Sequence, residues 1–430
     1  MGRKIKWTEH FKFDPQANTK ILNDLGLEKV YAMALMPVRG KKGFRKLDYE
    51  YAKKIQVNEI LQKIVQAHFN VLGLVIKDTD GACLWDTHAG WNPTERDILG
   101  EFCDAAEDFG IKIIVSFTSM NDAYQGSIHP DRVSVHGKGG EKFGRKYERG
   151  DISTHPEGEM RIDLPKKSSF QQYQKKIPFL TKKMDIKQGK SRDSRGRGYI
   201  PETSFMCPNS NHIDYLLDLA KEIVKKYPIS AFFADYIRYD DNFTDLCTCE
   251  RCTAKFREKY GSKPKLLRSS EWYDFKADTI SSYGKRLHSI IKKADPSCLT
   301  GWFCLPGPKK WYTRKRLGQD WATLSEIFDI SCPMEYPYLM GTRDDGWFWG
   351  KVGDFFHWYY KRNMKKRARE FKGPVLSITN SVECNKSEML KQMRTFNFGM
   401  GIALFKYFGT KQSQWKALKQ YGKEELNLSN

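Results

Sequence analysis

Four cysteines carry the first chemistry legible in this chain. Cys247, Cys249 and Cys252 form a C-x-C-x-x-C run, and Cys207 stands 40 positions upstream of Cys247, next to Pro208 and Asn209. Four thiolates are the complement of a closed tetrahedral zinc site. Cysteine also serves as a small buried hydrophobe. The loop around these three offers Thr244, Asp245, Thr248, Glu250 and Arg251, which leaves no apolar face to fill. A structural zinc held by Cys207, Cys247, Cys249 and Cys252 is therefore expected.

Two carboxylates suggest reactivity. Asp235 interrupts the apolar segment 231–237, with Arg238 three residues on, and Glu335 follows the run from Ile330 to Met334. A carboxylate closing a buried strand is either a reacting group or the partner of a nearby cation, and Arg238 is such a cation. Two carboxyls about 5 to 5.5 Å apart are the nucleophile and acid/base of a retaining glycosidase. Asp235 is expected to be the nucleophile and Glu335 the acid/base.

Strands must bring these residues together. Short β-rich runs at 30–37, 71–76, 111–117, 229–237, 299–305, 328–335, 375–380 and 401–408 alternate with helical patterns, for example 47–68, 92–110 and 214–227. That alternation predicts a parallel sheet, and eight strands close a (β/α)8 TIM barrel. The second helix is expected to open at Asn92-Pro93 and to end at Gly110. No G-x-G-x-x-G follows the first strand, which argues against a doubly wound nucleotide-binding sheet.

In such barrels the chemistry lies at the carboxyl ends of the strands. The second strand ends near Lys77, Asp78 and Asp80, with Trp85, Asp86 and His88 just beyond. Asn121 follows the third strand, Arg238 the fourth, Trp302 lies on the fifth, and Lys406 closes the eighth. These are the expected substrate contacts, with Trp85 and Trp302 placed to stack on sugar faces.

The interval 124–205, after the third strand, is too long for a simple βα connection; its stretch 137–200 carries 17 basic and 8 acidic residues. The whole chain, 1–430, is read as one barrel with this basic insertion, and no second domain is needed. A formal charge of +21 favours an anionic substrate or partner. No apolar stretch of about 20 residues suggests a membrane span, and no secretory signal is visible, so a cytoplasmic protein with reduced thiols is expected.

Some of these residues resemble known enzymes. The second βαβ unit, Lys77-Asp78-Thr79-Asp80-Gly81 followed by the Leu84-Trp85 pair, is similar to that of family 29 α-L-fucosidases, which carry K-H-H-D-G there. The four cysteines resemble the zinc cluster of family 42 β-galactosidases, and Asp235-Tyr236-Ile237-Arg238-Tyr239 resembles a segment of other glycosyl-hydrolase-like barrels. The resemblance implies a glycosidase-type barrel: Asp235 takes the place of the fucosidase nucleophile, but Asp78 and Thr79 replace the histidines that hold fucose, and the β-galactosidase acid is a Glu where Asp235 stands.

Three function classes follow. The first is a glycoside hydrolase acting on an oligosaccharide, neutral or anionic. The second is a non-catalytic carbohydrate-binding barrel. The third is a zinc-containing nucleic-acid-binding protein, which is disfavoured because a zinc ribbon pairs two C-x-x-C knuckles and here Cys207 stands alone.

Overall fold

Apolar runs in a parallel sheet are buried on both faces, and all eight expected runs form strands of one sheet. These are β1 (Val30–Leu35), β2 (Val71–Lys77), β3 (Lys112–Thr118), β4 (Ala231–Asp235), β5 (Leu299–Cys304), β6 (Ile330–Pro333), β7 (Ser377–Asn380) and β8 (Gly401–Phe405). The computed structural model describes residues 7–12, 14–38, 49–134, 152–154, 160–162, 205–239, 247–261, 269–305, 311–337, 347–382 and 384–426.

Every neighbouring pair is parallel, in the order β6-β5-β4-β3-β2-β1-β8-β7. The two ends of that order meet as well. Ser331 bridges Val375, Met334 bridges Ile378, and the Glu335 N–H donates to the Ile378 carbonyl at 2.8 Å. The sheet therefore closes into a nearly complete barrel. Gly401 permits the approach of β8 to β1, since a Cβ there would lie 1.9 Å from the Val30 carbonyl oxygen and its φ is +127°.

Two apolar clusters follow from the alternation of side chains across each strand. One fills the barrel interior and includes Val30, Val71, Ile114, Phe233, Leu376 and Ile378. The other packs strands against helices and contains the fully buried Trp85, Trp272 and Trp302. The covering helices include Val57–Gln66, Ile98–Asp108, His212–Lys226, Ser270–Ala294, Lys386–Phe396 and Gln412–Glu425.

Two helix boundaries differ from expectation. The helix expected at 92–110 starts at Ile98, where the Asp97 carboxylate accepts from the Gly100 N–H. Asn92 instead ties a turn, donating to the Trp85 and Arg96 carbonyls. The helix expected at 47–68 is split into Tyr49–Ala52 and Val57–Gln66, with Gln56 in extended conformation between them. After β3 the chain makes a short helix, Ala123–Ile128, and returns at Phe205 and Met206, which bridge Asn121 and Val133. Within the expected insertion an antiparallel ribbon pairs Ile152–Thr154 with Met160–Ile162, and the rest of 137–200 lies outside the described residues. Among the described residues no helix is long and apolar enough to cross a membrane.

Candidate functional site

Asp235 ends β4 opposite Thr118 on β3, at the carboxyl end of the barrel. Its Oδ1 accepts the Tyr236 N–H at 2.7 Å, and its carbonyl accepts the Ser119 N–H at 2.8 Å. Tyr236 adopts a left-handed conformation, φ 48°, which an ordinary residue holds only when its surroundings over-determine it. The turn brings Arg238 back beside the strand end, with its guanidinium 4.7 Å from the Tyr236 ring and 5.5 Å from the Phe205 ring. Burial pushes the Asp235 carboxyl up to about 6, against the opposing pull of the Tyr236 N–H and the Arg238 cation.

Asp235 and Arg238 line a cavity of about 420 Å³ that enters the barrel from this end. Thr79, Ser116, Thr118, Tyr236, Tyr312, Tyr336 and Tyr360 add its hydroxyl-bearing residues. The Tyr336 hydroxyl stays protonated far above its ordinary range, first because it is buried and then because Cys332 and Asp235 oppose its ionisation. Asp235 and Tyr336 both line this cavity.

Glu335 is not part of this lining. Inward positions on β6 and its extension are Cys332, Met334 and Tyr336, so Glu335 takes the opposite parity. It is 2% exposed, and its Oε2 has no hydrogen-bond partner among the described residues. Burial raises its carboxyl to about 8, with Arg367 opposing.

The other expected contacts fall outside the lining too. Lys77 is fully buried and its Nζ lies 2.7 Å from Asp122 Oδ2. Asp78 organises its own loop: Oδ1 accepts from the Asp80 and Ala82 N–H groups, and Oδ2 from the Tyr49 hydroxyl, which also reaches Asp80 at 3.4 Å. Trp85 is buried and donates to Glu222, Asp86 pairs with Lys226 on the surface, and exposed His88 gives its backbone N–H to Glu222. Trp302 faces the helices and donates to Ser331 Oγ at 3.0 Å. Asn121 is buried with both side-chain polar atoms lacking partners among the described residues, and Lys406 is 1% exposed with its backbone bonded to Ser381.

Of the twelve expected catalytic and substrate-contacting residues, the cavity thus gathers Asp235 and Arg238. It adds Tyr236 and Tyr336, which directly follow the two carboxylates in sequence. Tyr312 and Tyr360 arrive from helical segments at Trp311–Arg316 and Trp347–Arg367, and no spacing in the sequence announces them.

The four cysteines do converge. Their sulfurs lie within 4.8 Å of one another, with Cys207 Sγ 3.5 Å from Cys249 Sγ and 3.4 Å from Cys252 Sγ. Zinc–sulfur bonds of about 2.3 Å give a tetrahedral edge of about 3.8 Å, so this spacing suits a bound metal ion. Asn209 supports the cluster from outside, its Nδ2 donating to Cys252 Sγ and its backbone N–H to Cys207 Sγ. Cys249 also caps the helix Glu250–Tyr260, so the cluster joins that helix to the segment returning from β3.

No protein-family model and no curated protein matches the sequence. Solved structures share the fold. An α-L-fucosidase isoenzyme 2 from Paenibacillus thiaminolyticus superposes with TM-score 0.54 at 12% identity, covering 92% of this chain and 49% of that one. A β-galactosidase from the psychrophilic Marinomonas ef1 gives TM-score 0.52 at 11% identity, covering 93% and 60%. A cold-adapted β-galactosidase from Rahnella sp. R3 gives 0.54 at 10%, covering 93% and 56%. The chain spans about half to three-fifths of the length of these proteins. It has the (β/α)8 architecture found in these glycoside hydrolases.

Proposed function

We propose that this chain is a glycoside hydrolase in which Asp235 is the reacting carboxylate. The observation that carries the reading is the placement of Asp235 at the carboxyl end of β4, in a cavity it shares with Arg238. A carboxyl titrating near 6 is mostly ionised at neutral pH, as a nucleophile must be, and Arg238 favours that ionised form. The fold shared with a fucosidase and two β-galactosidases supports the same reading. The expected retaining outcome, with Glu335 as acid/base, requires that carboxyl to reach the cavity from behind its wall.

Further parts of the reading rest on composition and chemistry. The metal of the cysteine cluster is zinc in a structural role, since four thiolates leave no open position for catalysis. An anionic sugar suits Arg238 and the net charge of +21. None of the ten cysteines is in a disulfide, which suits a reducing, cytoplasmic setting.

One observation favours a second reading, sugar binding without hydrolysis. Among the described lining residues Asp235 is the single carboxylate, whereas glycoside hydrolysis ordinarily uses two. A panel of aryl glycosides, neutral and uronic, separates the readings. Hydrolysis that disappears in Asp235→Ala supports the enzyme, and saturable sugar binding without turnover supports the second reading. Proton NMR of the first product anomer decides between retention and inversion.

A further inference from the structure

Barrel interiors are ordinarily filled by layers of bulky branched side chains. Here one side carries a patch of small residues, flanked by Val71, Val75, Met36 and Phe405. Ala34 lies opposite Gly73 between β1 and β2, and Ala32 lies opposite Ala403 between β1 and β8. All four line the cavity, which runs down from Asp235 between this wall and an aromatic wall opposite.

The aromatic wall is fixed by packing. Phe233 lies against Gly301, where an added Cβ would come within 2.4 Å of the ring, and it meets Phe303 edge-on at 5.6 Å between centroids. At the strand ends Phe405, in register with Ala34, stacks with Tyr336 at 5.9 Å. Gly73 is different: a Cβ there would find nothing nearer than 3.7 Å, so its small size is not required by its neighbours. Below the strand ends the lining is largely hydrocarbon, with Val71, Ile114, Leu376 and Ile378 all in the interior cluster.

A hollow of this kind disfavours a fully polar ligand in its lower part, because hydroxyls placed there would give up water without finding partners. It suits an apolar group, as apolar cavities take hydrocarbon guests in preference to water. The volume is within the range of about 300–1,000 Å³ usual for small-molecule sites.

We propose that the ligand of this site carries an aryl or short alkyl group that inserts into the barrel below Asp235, between Ala34, Gly73 and Ala403 on one side and Phe233 and Phe303 on the other. Its polar part stays at the mouth beside Asp235, Arg238 and Tyr336. On the hydrolase reading above, on which this refinement rests for its chemistry, the substrate is a glycoside with a hydrophobic aglycone, not an oligosaccharide.

The test uses n-hexanol and indole as probes, which need no knowledge of the sugar. Titration calorimetry on the whole chain should show saturable binding of one probe per molecule. Gly73→Leu and Ala34→Leu, which place hydrocarbon in the hollow, should each weaken that binding by about tenfold or more while the circular dichroism spectrum is unchanged. Two separate positions guard against one variant failing to fold. Absence of probe binding to the wild type, or equal binding to both folded variants, overturns the apolar subsite even if glycosides are cleaved. Probe binding lost in both variants, in a protein that cleaves no aryl or alkyl glycoside, keeps the apolar subsite and removes the hydrolase reading instead.

Discussion

Lys77 donates to Asp122 across 2.7 Å, and neither side chain is exposed at all. Asp122 also caps the short helix Ala123–Ile128, its Oδ1 accepting the Gln125 N–H. One carboxylate thus joins the end of β2 to the loop after β3. Removing one member of a buried pair leaves an uncompensated charge, which costs about 3–5 kcal/mol. Lys77→Met should lose stability on that scale in urea denaturation, and Lys77→Met with Asp122→Asn should lose less, because the remaining charge is gone and the cap is kept. A Lys77→Met protein as stable as the wild type would show that the pair contributes little.

Asp235→Asn should remove turnover and stabilise the fold. The folded carboxyl titrates near 6 against an ordinary 3.8, so its contribution to stability is present below about 4 and is lost as pH rises through 6. At neutral pH the ionised form is a burden that asparagine lacks. Because the group is partly accessible from the cavity, the gain is on the order of 1 kcal/mol. The variant's advantage in melting temperature should open between pH 4 and 6 and hold above. A variant less stable than the wild type at pH 7 would contradict the burial account.

How far the sequence could be read is clear from β5 and β6. Strands buried on both faces give apolar runs that are easy to find, and all eight were legible for that reason. The same continuity hides which parity faces the lumen. Trp302 and Glu335 carry the chemistry a sugar site needs, yet their neighbours Phe303 and Tyr336 are the ones lining the cavity. Asp235 was legible because it is the single polar residue of β4. The polar cluster after β2 misled in another way: Asp78 spends its oxygens on the N–H groups of its own loop, and only tertiary structure reveals that. The cysteine spacing was more informative, since four thiols have few other reasons to converge.

Protein prepared without chelator should contain about one zinc per chain by elemental analysis. Cys249→Ser should release it and lower the melting temperature, because an ion held by the four cysteines would join the helix Glu250–Tyr260 to the segment at Cys207. Loss should be detectable with a chromogenic chelator without denaturant in the variant, and only on unfolding in the wild type. Metal-free protein with an unchanged melting temperature would remove the structural role.

Glu335 supplies the sharpest test of which carboxyls react. It is buried beside Arg367, with its Oε2 unpartnered among the described residues and its carboxyl raised to about 8 from an ordinary 4.5. A carboxyl raised in this way contributes stability below pH 4.5 that is lost as pH rises through 8. The full span corresponds to on the order of 5 kcal/mol. Glu335→Gln keeps the shape and cannot ionise, so its stability relative to the wild type should climb steadily between pH 5 and 9. Its parity, facing away from Asp235, predicts that turnover falls by less than about tenfold with every leaving group. A loss of about 100-fold or more that is confined to poor leaving groups would instead identify Glu335 as the proton donor, and would require the wall at Tyr336 and Tyr360 to open during catalysis.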